Sequence, residues 1–73
     1  MESEIFGTVF EVDGTWYLRY QGGGGVLVPL ETQGELRSRL ANGKTFRLEG
    51  HMGKNHLGCP ERYYARSGER IGN

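Results

Sequence analysis

Val26-Leu27-Val28-Pro29-Leu30-Glu31-Thr32-Gln33-Gly34-Glu35-Leu36-Arg37-Ser38-Arg39-Leu40-Ala41-Asn42-Gly43-Lys44-Thr45-Phe46-Arg47-Leu48 changes its hydrophobic period twice, and the two changes decide the fold. Residues 26–30 are apolar around a proline and read as a short strand. From Thr32 the pattern becomes helical. Leu36 and Leu40 lie four apart on one side, while Arg37 and Arg39 point away and complement the C-terminal end of the dipole. Thr32 and Glu35 have capping-box spacing, in which hydroxyl and carboxylate satisfy two orphan amide donors reciprocally. A helix is therefore expected over Thr32–Ala41, although Gly34 inside it costs about 1 kcal/mol against alanine. Asn42-Gly43 supplies a left-handed stop. Lys44–Met52 then alternates, with Phe46, Leu48, Gly50 and Met52 on one face and Thr45, Arg47, Glu49 and His51 on the other. That period belongs to a half-buried strand.

Towards the N-terminus, Glu4–Val12 is β-branched and aromatic, and Asp13-Gly14 is the strongest hairpin signal of the chain. The return strand, Thr15–Tyr20, turns Trp16, Leu18 and Tyr20 inward and Thr15, Tyr17 and Arg19 outward. Gln21–Gly25, with four consecutive glycines, reads as a mobile loop between strands two and three. A phosphate-cradling glycine loop needs a helix N-terminus behind it to aim amides at the anion, whereas a strand follows here, so a phosphate site is not expected at this loop. Gly43-Lys44-Thr45 fails as the end of a P-loop for the converse reason, since a helix precedes it and a strand follows. Towards the C-terminus, Gly53–Pro60 reads as a loop and 62–65 as a last short strand. A flexible tail is expected from about residue 67.

Strand, strand, strand, helix, strand, strand is the element order of the oligonucleotide/oligosaccharide-binding (OB) fold. Phe6-Gly7-Thr8-Val9-Phe10-Glu11, Gly43-Lys44-Thr45-Phe46-Arg47-Leu48-Glu49-Gly50 and Arg62-Tyr63-Tyr64-Ala65-Arg66 resemble matching segments of small bacterial members of this fold. Across residues 4–66 the chain is similar in outline to the modules of translation initiation factor one, ribosomal S1 repeats and cold-shock proteins. The resemblance implies a mainly β, five-stranded Greek-key OB-like barrel with one short helix between strands three and four. Strand three lacks the aromatics of the cold-shock stacking platform, so no site is carried across. An SH3-like barrel is the rival architecture, and the capped helix at this point speaks against it.

The 73 residues include 13 Gly, 2 Pro and 36% hydrophobic side chains, which allows a single domain over 1–73. A core of this size supplies roughly 3–5 kcal/mol. Cys59 is the only cysteine, so no disulfide closes within the chain, and the N-terminus lacks the basic start and apolar run of a signal peptide. A cytoplasmic protein with no membrane partner is expected. Nine acids balance nine bases, but residues 1–36 carry a balance of −5 and residues 37–73 one of +5, which makes a basic face possible.

No nucleophile, base and orienting group occur at a recognised spacing, so no enzymatic activity and no cofactor are expected. His51, His56 and Cys59 are three metal-ligand types within reach of one another, but no fourth ligand is placed, and simple solvation is the plainer reading. The remaining candidate is a binding surface. Tyr17, Arg19, Arg47, His51, Lys54, Arg62 and Tyr64 interleave rings with cations, the pattern on which single-stranded RNA or DNA stacks while basic groups track its phosphates. Half-solvated strands carry the same residue types for packing reasons alone. The alternative is a protein partner or self-association through the opposed charge or an open strand edge. Pairing of Arg19, Arg47 and Arg62 with carboxylates across strands would remove the basic groove.

Overall fold

The computed structural model describes residues 3–72. Five strands and one helix follow in the expected order: β1 Ser3–Val12, β2 Thr15–Tyr20, β3 Val28–Glu31, α1 Gly34–Arg39, β4 Thr45–Lys54 and β5 Pro60–Arg70. The sheet closes as a barrel in the order β1-β2-β3-β5-β4 and back to β1, so closure removes the free edges of an open sheet. All pairings are antiparallel except β3 with β5. The expected mainly β, five-stranded barrel with one short helix between strands three and four is what forms.

Asp13 and Gly14 carry φ of 51° and 81°, the paired left-handed conformation that matches the twist of a two-residue hairpin. Alternation then sorts the residues. Val9, Leu18, Leu30, Phe46, Leu48, Tyr63 and Ala65 point inward, joined by Leu36 of α1 and by Leu40 just beyond its end. Ile5, Trp16, Tyr20 and Met52 pack half-buried against them. The phenol of the fully buried Tyr63 donates to the carbonyls of Ser3 at 3.1 Å and Leu48 at 3.5 Å, which satisfies the one polar atom of a large core side chain.

Three elements differ from expectation. The helix begins at Gly34 rather than Thr32, and the capping box does not form. Gln33 is the N-cap, without a side-chain cap bond, and Thr32 is buried with its hydroxyl lacking a partner among the described residues. The Glu35 carboxylate lies instead 4.0 Å from Arg39, one turn on. The positive φ of Gly34 turns the chain sharply there, so Thr32 joins the barrel end and not the helix. The second difference is strand three, which starts at Val28 and leaves Val26 and Leu27 exposed in the loop.

The third correction concerns the C-terminus. The strand expected over 62–65 runs from Pro60 to Arg70, and the tail expected from residue 67 is ladder, with Ser67, Gly68, Glu69 and Arg70 opposite Glu49, Leu48, Arg47 and Phe46. A bulge between Glu49 and Gly50 shifts the register, so Gly50 faces Ala65 while Glu49 faces Ser67. This lets the polar, glycine-containing stretch continue the sheet, and β4–β5 becomes the longest hairpin of the fold.

Candidate nucleic-acid interface

The end of the β4–β5 hairpin is built by backbone. Asn55 accepts at Oδ1 from the amides of Leu57 at 2.9 Å and Cys59 at 3.0 Å, and its own amide donates to the Cys59 carbonyl at 3.0 Å. This closes the turn over residues 55–59 and fixes the register beneath it. His51 stands opposite Tyr64, Gly53 opposite Arg62 and Lys54 opposite Pro60. The His51 and Tyr64 rings stack with centroids 4.9 Å apart and planes 21° apart. Gly53 leaves room for this arrangement, because a Cβ there would stand 3.0 Å from Cε2 of Tyr64. Both residues are exposed, so the parts of the rings not covered by the stack face solvent.

Four of the seven expected residues, His51, Lys54, Arg62 and Tyr64, thus gather on one wall. The Arg62 guanidinium donates to Glu31 on β3 at 3.0 Å, whereas Lys54 has no carboxylate within ion-pair distance among the described residues. Tyr17 and Arg19 stand on another wall, since β2 neighbours only β1 and β3. There Tyr17 is half-buried opposite Phe10 and Pro29, and Arg19 lies over the Phe10 ring, 5.1 Å from its centroid. No ion pair holds Arg19 among the described residues.

Arg47, expected as a phosphate contact, sits within three carboxylates. Its guanidinium donates to Glu69 from Nε at 3.0 Å and from Nη2 at 2.8 Å, and to Glu4 from Nη1 at 2.9 Å, with Glu49 at 3.3 Å. Hydrogen bonds to Glu69 and Glu4 raise its pKa above the ordinary guanidinium value, against a smaller opposing effect of burial. Three anions on one cation leave local negative charge, which repels phosphate. Arg66 lies 3.9 Å from Glu49 at the margin of the same cluster. The seven residues therefore form two separate patches with an acidic cluster at Arg47, and no continuous basic groove runs between them.

His51, His56 and Cys59 are not gathered either, because no group of three His, Cys, Asp or Glu suited to a metal ion occurs among the described residues. Sequence reasoning missed Phe6 and Phe10 on the outer face of β1. Both faces of that strand are apolar, Ile5 and Val9 on one and Phe6 and Phe10 on the other, so alternation carries no sign there. Glu69 was missed because it lay in the expected tail.

No helix among the described residues is long and apolar enough to cross a membrane. No protein-family model matches the chain, and neither a curated protein nor a solved structure matches it.

Proposed function

We propose that this chain is a non-catalytic OB-like barrel that binds single-stranded RNA or DNA on its β4–β5 wall. The observation that carries the reading is the exposed His51–Tyr64 stack. A base laid on such a surface gains roughly 1–3 kcal/mol without demanding a particular sequence. Lys54 provides a free ammonium beside it, and Arg62 can exchange Glu31 for a phosphate. The barrel order and the parallel β3–β5 pairing support the OB-like assignment.

Fluorescence anisotropy of labelled single-stranded oligomers, titrated at low and moderate salt, tests the reading. Binding is expected at low salt, weakened by about 1–3 kcal/mol in Tyr64→Ala. Absence of binding at low salt, where electrostatic attraction is strongest, would end it.

A protein-interaction role is the second reading. It draws on the exposed Leu57 at the hairpin tip, on Val26 and Leu27 in the β2–β3 loop, and on the acidic cluster around Arg47. It predicts a size that rises with concentration and no oligonucleotide affinity.

A further inference from the structure

A second feature lies away from the β4–β5 platform. Where the glycine loop folds back from the end of β2, it leaves an open depression of about 410 Å³ against the outer faces of β1 and β2. The loop is anchored at its start, with the Gln21 amide donating to the Phe6 carbonyl at 3.0 Å and the Gly23 amide to Tyr20 at 3.1 Å. Gly23 packs on the Tyr20 ring so closely that a Cβ there would stand 2.7 Å from Cζ. The depression is therefore a built concavity rather than slack chain.

Its lining combines three kinds of group. Phe6 contributes a ring that is 39% exposed. Thr8 and Thr45, with hydroxyls 3.5 Å apart, form the polar floor. Arg19 and the loop glycines complete the lining: the guanidinium lies over the Phe10 ring with no carboxylate partner among the described residues, and the amides of Gly22, Gly24 and Gly25 have no acceptor among them. Unpaired N–H groups and a guanidinium that no carboxylate holds favour an anion, and backbone donors in a loop can cradle one without a helix behind them, contrary to the expectation from the sequence. The volume falls at the lower end of the roughly 300–1,000 Å³ usual for small-molecule sites.

We propose that this depression binds a nucleoside monophosphate, its phosphate received by the amides of the glycine loop and by Arg19, which turns from the Phe10 ring to meet it, and its base laid against Phe6. This site is separate from the strand-binding wall, from which the acidic cluster at Arg47 divides it, and it stands whether or not that wall binds oligomers.

The test is a titration of the isotope-labelled protein with AMP, with UMP and with inorganic phosphate, followed by amide NMR. Expected are shifts at Gly22, Gly24, Gly25 and Thr8 with either nucleotide at millimolar concentration, and a weaker response to inorganic phosphate. Arg19→Gln should weaken nucleotide binding roughly tenfold or more while leaving signals distant from the loop in place. Phe6→Leu should weaken AMP and leave the phosphate response unchanged. No shifts with either nucleotide would overturn the proposal, as would equal affinity for AMP and inorganic phosphate or an unchanged affinity in Arg19→Gln. Tyr64→Ala provides the separation from strand binding. It should leave the AMP shifts intact, and AMP shifts that vanish in it would place the nucleotide on the β4–β5 wall and overturn the second site.

Discussion

Gly50→Ala is the substitution most informative about how the fold carries its candidate interface. Gly50 lies opposite the bulge that Arg66 makes in β5, directly against that strand, and a Cβ built there meets the Tyr64 carbonyl group, with the carbonyl carbon at 2.9 Å and Ala65 Cα at 3.0 Å. The obstacle is main chain on the neighbouring strand, which cannot rotate aside as a side chain can. Overpacking a well-filled site costs about 1–3 kcal/mol, and a backbone obstacle places this case at the upper end. Against a total of roughly 3–5 kcal/mol for a core of this size, about 3 kcal/mol removes most of the stability. At about 4–8 °C per kcal/mol, Tm should fall by roughly 12–24 °C. Urea unfolding followed by the fluorescence of Trp16, the single tryptophan, measures the loss. Gly58→Ala in the same hairpin is the control. A Cβ there meets nothing within 4 Å, so only the positive φ of 83° costs, about 1–2 kcal/mol. A Gly50→Ala protein within about 0.5 kcal/mol of wild type, or less damaged than Gly58→Ala, would refute the reasoning.

Three further outcomes are expected. Tyr63→Phe removes the bonds to the Ser3 and Leu48 carbonyls without opening a cavity, and should cost about 0.5–1.5 kcal/mol in the same urea experiment. Arg47→Gln should lower Tm by leaving Glu4, Glu49 and Glu69 unneutralised, yet leave oligomer affinity unchanged. Because the pKa of Arg47 is raised on folding, its contribution is fully present below the ordinary guanidinium value and is lost only as pH rises through the higher folded value. The Tm difference from wild type should therefore be the same at neutral and mildly alkaline pH, and a difference that shrinks in that window would contradict it. Oligomer affinity should depend only shallowly on salt, with a log–log slope of about −0.7 to −1.4, since one or two cations on the β4–β5 wall can meet phosphates. A steep slope in the anisotropy titration would indicate a basic surface other than this one.

The glycines and prolines punctuated the chain unevenly: Asp13-Gly14 marks its hairpin, whereas α1 ends at Arg39, before the stop expected at Asn42-Gly43, and Gly53, Pro60 and Gly68, expected in loop or tail, lie in strands. The Asp13-Gly14 hairpin needs only its own dihedral angles, whereas the turn at Asn42-Gly43 is also held from β1. The Gly43 amide does reach the Val9 carbonyl at 2.7 Å, and the Asn42 side chain accepts from the Glu11 amide at 2.8 Å. The turn residues were legible, but their strand partners were not. The candidate interface was legible in kind and not in arrangement. Alternation put Tyr17, Arg19, Arg47, His51, Arg62 and Tyr64 outside, yet it says nothing about which strands become neighbours.

The sequence by itself determined what depends on spacing along the chain: five strands, one helix between the third and fourth, and the inward faces of β2 and β4. Periodicity of two or of 3.6 is a local property, enforced by which side chains must leave water. Only the tertiary structure decided what depends on closure. Bringing β4 between β1 and β5 converted an expected tail into strand, placed Glu4 and Glu69 on either side of Arg47, and so took that residue out of any basic face. The same closure set His51 against Tyr64 and separated both from Tyr17 and Arg19. Charge and stacking are pair properties acting over a few ångströms, so they exist only once the register between distant strands is set.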